Sequence, residues 1–313
     1  MNEFAFTDFS DWSIYDGASE GSGRSEKVWL ISPSGEYGLF KYPKTKPGSD
    51  ETTTEHVSEH LAHQLGEILR VETAQVDLGI RDGRVGSMSY AVNQENERLI
   101  EGVNFITRNH PAFDANTLYD PDNKKYYSIE HFVEMGILFP EQKWIEMMLF
   151  DYVIGNSDRH QSNWAIIASF ILDDNNDKIK GVRIRTSPFY DNGSSLCSYV
   201  YSDSIDRFFS ADPGPFNAMV GSKSKSMIRI DGTRKTAPPH EEVIKYLLST
   251  YSETADIANR FIASLTYEAI DGLMDRYPPE ILHEKKNVLI RRYLKRKMER
   301  LEMLVKESDL HAG

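Results

Sequence analysis

The spacing of apolar residues changes along the chain, and this change restricts the folds that the sequence can adopt. Up to residue 105, short apolar runs are separated by turn residues such as Gly, Pro and Asp, which is typical of β-strands. From residue 241 onward, apolar residues recur at spacings of three and four, which is typical of helices. The sequence therefore predicts an α+β fold in which a small antiparallel sheet precedes a larger, mainly helical region.

A hairpin, one helix and three further strands are predicted in the first 105 residues. The hairpin turns at 33–36, and the helix carries Val57, Leu61 and Leu65 on one face. The predicted strands are 27–32, 37–42, 74–80, 84–93 and 98–105, and the predicted helix is 52–69. We therefore expect residues 1–105 to form a small N-terminal lobe in which the helix packs on the sheet.

Helices dominate the prediction for residues 106–313, which we expect to form the second lobe. The predicted helices are 128–136, 140–154, 241–252, 254–276 and 279–307, and a hairpin is formed by 164–172 and 179–186. The last helix carries apolar residues at spacings of four, three and four, so this face is expected to pack in the core. These residues are Leu294, Met298, Leu301 and Val305. Two lobes of this kind place a cleft between them, where ligand sites commonly lie.

Composition limits the classes of function. The formal net charge of −12 and the pI near 5.3 disfavour direct binding to nucleic acids. No stretch is long and apolar enough to cross a membrane, and the chain does not start with the basic segment of a secretory signal. The single cysteine, Cys197, excludes an internal disulfide and suits a reducing compartment. We therefore expect a cytoplasmic protein without a membrane partner.

The polar turn GNSDRHQSNW at 155–164 lies between two apolar runs, at 147–154 and 165–172. A carboxylate that accepts a proton or orients a hydroxyl must be held rigidly at a cleft, and Asp158 is placed on such a turn. Asn163 follows five residues later, and its amide oxygen is suited to binding a magnesium ion. Protein kinases use the same Asp-to-Asn separation. This spacing predicts a phosphoryl-transfer site at the turn.

A second carboxylate is needed for the metal, and it is expected after the hairpin. The segment SPFYDNG at 187–193 supplies Asp191 at that place. Magnesium binds a few hard oxygen ligands and completes its coordination with water and substrate phosphates, so one Asp and one Asn are a sufficient protein share. Asn163 and Asp191 are therefore the predicted magnesium ligands.

The N-terminal lobe is predicted to bind the nucleotide. The segment EGSGRSEK at 20–27 precedes a strand and can present backbone N–H groups and basic side chains to phosphates. Lys41 lies on the next strand, and the following helix carries Glu55 and Glu59, either of which could form the ion pair that orients the lysine. The two glutamates share one helical face, so the sequence does not separate them.

Together these segments resemble the C-terminal kinase core of the HipA-like serine/threonine kinases. The resemblance rests on GNSDRHxxN followed by PFYDNG, and on SGRSEKVW (22–29), FKY (40–42) and the pattern from Glu55 to Ala62. It covers most of the chain with gaps and is strongest for the short CtkA-type and HipT-type members. Only residues 1–19 precede the expected phosphate loop, so the extra N-terminal subdomain of longer HipA proteins is expected to be absent.

The resemblance implies a bilobal protein-kinase-like fold and a role for individual residues. Asp158 is expected to be the catalytic base, with Arg159 and His160 as supporting residues of the catalytic site. Tyr90 and Val92 are expected near the adenine, at the hinge between the lobes. The other expected ATP contacts are Ser22, Gly23, Arg24, Ser25, Lys27, Lys41 and either Glu55 or Glu59. Magnesium is expected on Asn163 and Asp191.

The resemblance also implies ATP and Mg²⁺ as cofactors and a protein with a serine or threonine acceptor as substrate. Autophosphorylation of Ser22 or Ser25 is expected, because a phosphoserine would be repelled from a loop that must hold ATP. A role as the toxin of a toxin–antitoxin module is implied too, with a small antitoxin protein as partner. Two alternatives stay open, a phosphoinositide kinase, which shares the D-R-H-x-x-N signature, and a catalytically silent pseudokinase. The basic, serine-rich segment 222–235 is either a solvated loop or a docking loop.

Overall fold

The computed structural model describes residues 2–16, 26–94, 96–172 and 179–312. In these ranges the strands are β1 (Thr7–Asp8), β2 (Ser13–Ile14), β3 (Lys27–Ile31), β4 (Tyr37–Lys41), β5 (Val76–Arg81), β6 (Arg84–Tyr90), β7 (Glu97–Glu101), β8 (Tyr119–Asp120), β9 (Lys125–Tyr126), β10 (Ala165–Leu172) and β11 (Ile179–Thr186). The helices are α1 (Glu55–Leu69), α2 (Gly102–Asn109), α3 (Ile129–Val133), α4 (Glu141–Ile154), α5 (Ser202–Ile205), α6 (Gly214–Val220), α7 (His240–Thr250), α8 (Glu253–Ser264), α9 (Tyr267–Met274) and α10 (Glu284–Ala312). Short 3₁₀ turns lie at Gly136–Leu138 and Asp206–Phe208. A sheet followed by a mainly helical region confirms the predicted α+β class.

The N-terminal sheet contains six of the described strands, in the order β1-β5-β6-β4-β3-β2. Neighbouring strands are antiparallel except β1 and β5, which are parallel. Lys27 lies opposite Lys41, and Lys41 lies opposite Ser87. Because paired residues project from the same face of a sheet, these three side chains share one face. Phe40 and Met88 project from the other face, where they pack in a separate apolar cluster.

Helix α1 packs on the lysine-bearing face and connects the two parts of the molecule. Val57, Leu61 and Leu65 are buried at the predicted helical spacing. They belong to the same apolar core as residues of α4 and α10. Arg70 ends the helix in the left-handed conformation, with φ of 56°. The position of α1 is therefore fixed by both the sheet and the helical region.

Helix α4 is the central helix of the C-terminal region. Its residues from Trp144 to Ile154 are all buried, and α7, α8 and α10 pack around it. On α10, the residues predicted to face the core are buried, namely Leu294, Met298, Leu301 and Val305. The prediction for this helix face is confirmed. Among the described helices, none is both long and apolar enough to cross a membrane.

Strands β7, β10 and β11 form a second sheet in the described chain. Leu99 on β7 lies opposite Ile167 on β10, so the strand predicted at 98–105 belongs to this sheet and not to the first one. The chain passes from the first sheet to the second within 91–96. We therefore propose that the two lobes meet at this segment rather than at residue 105.

The second half of that predicted strand is wrong, because Gly102–Asn109 forms α2. The Gly102 N–H donates to the carbonyl of Trp164 (2.9 Å), and a Cβ at this glycine would lie 2.2 Å from atoms of the indole ring. The absence of a side chain therefore permits the chain to turn here. The apolar residues around this glycine are too few to distinguish a strand period from a helical one, so the sequence alone does not reveal the change.

Two predicted helix boundaries are also wrong. The predicted helix 254–276 is divided into α8 and α9, because the Thr266 hydroxyl accepts a backbone N–H and begins the second helix. The helix predicted from residue 279 begins at Glu284, since Pro278 opens a turn before it.

The segment 222–235 is largely ordered against the helical region rather than solvated. Ser224, Ser226 and Ile228 are buried, and the Arg229 N–H donates to the carbonyl of Tyr127 (3.1 Å). The interpretation of this segment as a solvated loop is therefore wrong for residues 224–229.

Candidate active site

The polar turn follows α4 directly and is shaped by a glycine and a buried amide. Gly155 ends α4 with φ of 67°, and a Cβ there would lie 2.0 Å from the Tyr293 hydroxyl. The Asn156 side chain donates to Asp151 (Nδ2 to Oδ1, 3.1 Å) and accepts the N–H of Asp158 (3.0 Å). The backbone of the expected base is therefore held by a side chain that α4 itself orients.

Arg159 lies beneath the turn with only 1% of its surface exposed. Its guanidinium pairs with Asp151 (2.8 Å) and donates to the carbonyls of Asn163 (2.8 Å) and Tyr190 (2.8 Å). It also donates to Asn192 Oδ1 (2.6 Å). These contacts join α4, the polar turn and the segment around Asp191. Because the guanidinium is buried and fully bonded, its contribution to the site is structural support.

Asn163 and Asp191 lie where the prediction needs the magnesium ligands. Asn163 donates its amide nitrogen to the carbonyl of Asp158 (2.7 Å), which leaves the amide oxygen as the atom that can bind a cation. Asp191 has φ of 58°, and 45% of its side chain is exposed. Its Oδ1 accepts from Lys41 (2.7 Å), so Oδ2 is the oxygen that can bind a cation.

This donor set fits magnesium better than other metals. Among the described residues, no group of three or more His, Cys, Asp and Glu side chains could hold a metal ion. Zinc and calcium sites usually need several protein ligands, whereas magnesium keeps water and substrate phosphates in its coordination shell. One carboxylate and one amide oxygen are therefore the number and kind of protein ligands expected at a magnesium–nucleotide site.

Lys41 forms the centre of an ion-pair network. Its ammonium lies 2.7 Å from Glu59 Oε1 and 2.7 Å from Asp191 Oδ1. The other Glu59 oxygen accepts the N–H of Asn192 (3.1 Å). Glu55 instead pairs with Lys44 (2.8 Å). Of the two glutamates that the sequence leaves open, Glu59 is the partner of Lys41.

Burial and these contacts shift the pKa values of Lys41, Asp191 and Asp158. Burial lowers the pKa of Lys41, but Asp191 and Glu59 outweigh burial and raise it above the ordinary value. Burial raises the pKa of Asp191, but Lys41 outweighs it and holds that pKa well below the usual range. For Asp158, burial raises the pKa above the usual range, although His160 lowers it. Asp191 is therefore suited to binding a cation, and Asp158 is suited to accepting a proton.

Two further predicted residues lie at the same place. Lys27 projects beside Lys41; burial lowers the pKa of Lys27, while the charge of Asp191 raises it and that of Lys41 lowers it. His160 accepts the N–H of Ser162 on its Nδ1 (3.2 Å). Lys27 therefore stays a candidate contact for the ATP phosphates. The loop residues Ser22, Gly23, Arg24 and Ser25 lie outside the described residues.

Of the two expected adenine contacts, the Tyr90 side chain lies on the side of the sheet away from Lys41, and Val92 stays a prediction. Tyr90 projects from the face opposite to Lys41, and its hydroxyl donates to Asp77 (2.8 Å). The carbonyl of Val92 accepts from Arg185 (3.3 Å). The Tyr90 side chain therefore packs on the face of the sheet opposite to Lys41 and does not line the lysine side.

Sequence reasoning missed the supporting residues. These are Lys44, Asp151, Asn156, Asn192 and Tyr199. A signal existed for Asp151, because an acidic residue inside an otherwise apolar helix must have a buried partner. No comparable signal marks Lys44, whose position depends on the loop that carries it.

The site thus brings together a candidate base, a lysine–glutamate ion pair and two oxygen atoms that can bind a cation. Asp158 and Asn163 come from the polar turn, Asp191 follows β11, Lys41 comes from β4 and Glu59 from α1. Lys41 can neutralise charge on phosphates, the oxygens of Asn163 and Asp191 can hold a cation that does the same, and a carboxylate with a raised pKa can orient a hydroxyl. This arrangement is suited to phosphoryl transfer.

No protein-family model matches the sequence, and no curated protein matches it. Among solved structures, the chain is similar to the proinflammatory kinase CtkA of Helicobacter pylori, with a TM-score of 0.77 and 15% identity over 99% of this chain and 100% of CtkA. It is also similar to HipA of Shewanella oneidensis MR-1, solved with HipB and operator DNA, with a TM-score of 0.56 and 15% identity over 94% of this chain and 68% of that chain. The chain therefore has the bilobal α+β fold of the CtkA- and HipA-type kinases, as the resemblance predicts.

Proposed function

We propose that the protein is an ATP- and Mg²⁺-dependent serine/threonine protein kinase of the HipA/CtkA type. The observation that carries this proposal is the pairing of Lys41 with both Glu59 and Asp191, at 2.7 Å each. Kinases need this lysine–glutamate pair and the aspartate together to hold the nucleotide phosphates for transfer. An intact network of this kind favours an active kinase over a silent pseudokinase.

In this proposal some residues bind the nucleotide and the metal, and Asp158 controls the proton of the acceptor. Lys41 would hold the phosphates of ATP, and Asn163 and Asp191 would hold Mg²⁺. Bound Mg²⁺ would neutralise charge on the phosphates. Asp158 would orient the acceptor hydroxyl and accept its proton, and the raised pKa of Asp158 supports that role. Arg159 would keep the turn and the Asp191 segment in register from below.

Transfer of radiolabel from ATP tests the proposal. We expect wild type to label itself or a protein in a cell lysate, and Asp158→Asn to lose at least about 100-fold of this rate while binding ATP with similar affinity. Labelling of phosphoinositide vesicles instead of protein would identify a lipid kinase. Binding of ATP with no transfer to any acceptor would identify a pseudokinase and contradict the proposal.

The finer expectations from the resemblance are part of the same proposal. We expect autophosphorylation on Ser22 or Ser25. Mass spectrometry of wild type and of Asp158→Asn checks this, because phosphate at either serine should depend on Asp158. CtkA is described as a kinase, and HipA as part of a toxin–antitoxin system. We therefore also propose a cytoplasmic growth-restraining toxin, with a small antitoxin protein as partner and without DNA binding by this chain alone.

A further inference from the structure

Two segments that flank the cleft are joined by polar contacts outside the predicted site. The loop between β4 and α1 faces the segment that follows Asp191. Lys46 pairs with Asp203, and Glu51 accepts from the N–H of Ser202 (2.7 Å). The contacts fix the loop that begins directly after Lys41 and carries a second lysine, Lys44.

The ammonium of Lys44 is held by an acidic and a phenolic group. It lies 2.8 Å from Glu55 Oε1 and 3.3 Å from the Tyr199 hydroxyl. Glu55 accepts three more hydrogen bonds, from the Tyr199 hydroxyl (2.6 Å), the Thr53 hydroxyl (2.7 Å) and the N–H of Lys44 (3.3 Å). A carboxylate with this many donors has little freedom to move. The lysine is therefore fixed in direction while 39% of its side chain stays exposed.

A chain of hydrogen bonds leads from Tyr199 to the base. Its hydroxyl lies 3.0 Å from the Ser194 hydroxyl. The Ser194 carbonyl accepts the N–H of Ser157 (3.2 Å), and Ser157 immediately precedes Asp158. Through Tyr199 and Ser194, Lys44 is linked to the residue that precedes Asp158, and the charge of Lys44 acts on the Asp158 carboxylate. Lys44 therefore lies on the side of the site where the base would meet the acceptor hydroxyl.

The cations of the site differ in how far their charge is already neutralised by carboxylates. Lys41 is paired with two carboxylates, and the Arg159 guanidinium is buried beneath the turn, whereas Lys44 is paired with one carboxylate and stays partly exposed. In phosphoryl transfer, negative charge spreads over the equatorial oxygens of the group that moves towards the acceptor. A cation that points to the acceptor side stabilises that charge more than it stabilises bound ATP.

We propose that Lys44 is the cation that stabilises the phosphoryl group during transfer on the acceptor side, and that Glu55 and Tyr199 are positioning residues that hold it there. This inference rests on the proposed kinase function. In the step, the acceptor oxygen forms a bond to the γ-phosphorus while the bond from that phosphorus to the bridging oxygen of ADP breaks. The acceptor proton goes to Asp158, and ADP leaves with the electron pair of the broken bond.

Kinetics of Lys44→Met, with Lys306→Met as control, test the proposal, because Lys306 lies in an exposed ion pair with Glu302 on α10. We expect Lys44→Met to lower kcat by about 10- to 100-fold with an ATP affinity within about threefold of wild type, and Lys306→Met to stay near wild type. Lys44→Arg should restore part of the rate. Tyr199→Phe should lower kcat by about 3- to 10-fold, because Glu55 loses a donor and Lys44 loses a neighbour.

Each outcome separates this inference from the proposed function. If wild type transfers no phosphate, both fail. If wild type transfers phosphate and Lys44→Met matches it in kcat, only the role of Lys44 fails. An equal loss in Lys306→Met, or a tenfold weaker ATP affinity of Lys44→Met, would also overturn it, because a general effect of losing a lysine or a damaged nucleotide site would then be the cause.

Discussion

Arg159 is the residue whose burial is hardest to explain without a structural task. A buried charge is costly unless it is paired and its hydrogen-bonding groups are satisfied. The guanidinium satisfies this condition with one carboxylate, two carbonyls and one amide oxygen, which are acceptors on three separate segments. A lysine could not reach all of them, because its ammonium is a compact charge without the planar fork of arginine. The polar turn therefore needs arginine directly after Asp158.

Replacement of Arg159 by methionine should destabilise the protein strongly. The change leaves Asp151 buried without its cation, so we expect the free energy of unfolding to fall by about 3–5 kcal/mol. Urea unfolding followed by circular dichroism measures this value. Arg234→Met is the control, since its ion pair with Glu242 is exposed and should contribute less than about 1 kcal/mol. Equal losses in the two variants would show that the buried pair has no special role.

At the scale of elements, the distance between α1 and the segment after Asp191 determines whether Glu59 reaches Lys41. Gly193 sets this distance. A Cβ at Gly193 would lie 3.2 Å from Glu59 Oε1 and 3.3 Å from its Cγ, which is closer than ordinary contact. The Asn192 N–H donates to the same carboxylate. Helix α1 and the segment around Asp191 thus approach each other through a residue without a side chain.

Gly193→Ala should therefore weaken activity more than stability. The added methyl group should displace the Glu59 carboxylate by a few tenths of an ångström, and we expect kcat to fall by about tenfold, since small misplacements at a site are costly. The free energy of unfolding should fall by less than about 1.5 kcal/mol. Gly181→Ala is the matched control, because its Cβ would meet Ile171 Cδ1 only at 3.8 Å. A Gly193→Ala variant with wild-type kcat would contradict this account.

The same elements show how far the sequence predicts the structure. Asp158 and Asn163 are predicted from their spacing, Asp191 from its position after a hairpin, and Lys41 from its strand before an acidic helix; the structure brings all four to one site. The choice between Glu55 and Glu59 is not predictable, since one helical turn separates them and only the rotation of α1 decides. The role of Lys44 is not predictable from the sequence, because Lys44 lies in a loop and not on a helix or strand whose periodicity indicates the direction of its side chains. The helix that begins at Gly102 is not predictable either, because its start depends on a tertiary contact with Trp164.

At the scale of the whole molecule, the core is shared between the lobes. Residues of α1 belong to the same apolar cluster as residues of α4, α7, α8 and α10. The N-terminal segment adds to this link, since the Phe4 N–H donates to the carbonyl of Arg276 (2.8 Å). A change in the stability of the helical region should therefore be transmitted to the site that α1 carries.

One group in this helical region makes the stability of the molecule depend on pH. Lys297 on α10 has no exposed surface. Its ammonium donates to the Ser224 hydroxyl (2.9 Å) and lies 4.3 Å from the centre of the Tyr152 ring. Burial lowers the pKa of Lys297 to about 7. An unfolded chain would bind this proton up to about pH 10.4, so the unfolded state holds more protons between these two values.

The free energy of unfolding should therefore rise with pH through this window because of Lys297. Below about pH 7 both states are protonated and the full cost of burying the charge is present; above it the cost is relieved by up to about 1.4 kcal/mol per pH unit. Lys297→Met removes this term, so the stability of wild type minus that of the variant should increase as pH rises. Lys286, whose pKa burial lowers to about 8, contributes equally to both proteins and cancels. Urea unfolding between about pH 6 and pH 9.5 measures the difference, with the exposed Lys306→Met as control. Parallel curves for wild type and Lys297→Met would show that Lys297 keeps an ordinary pKa, and that helix α10 carries its charge without cost.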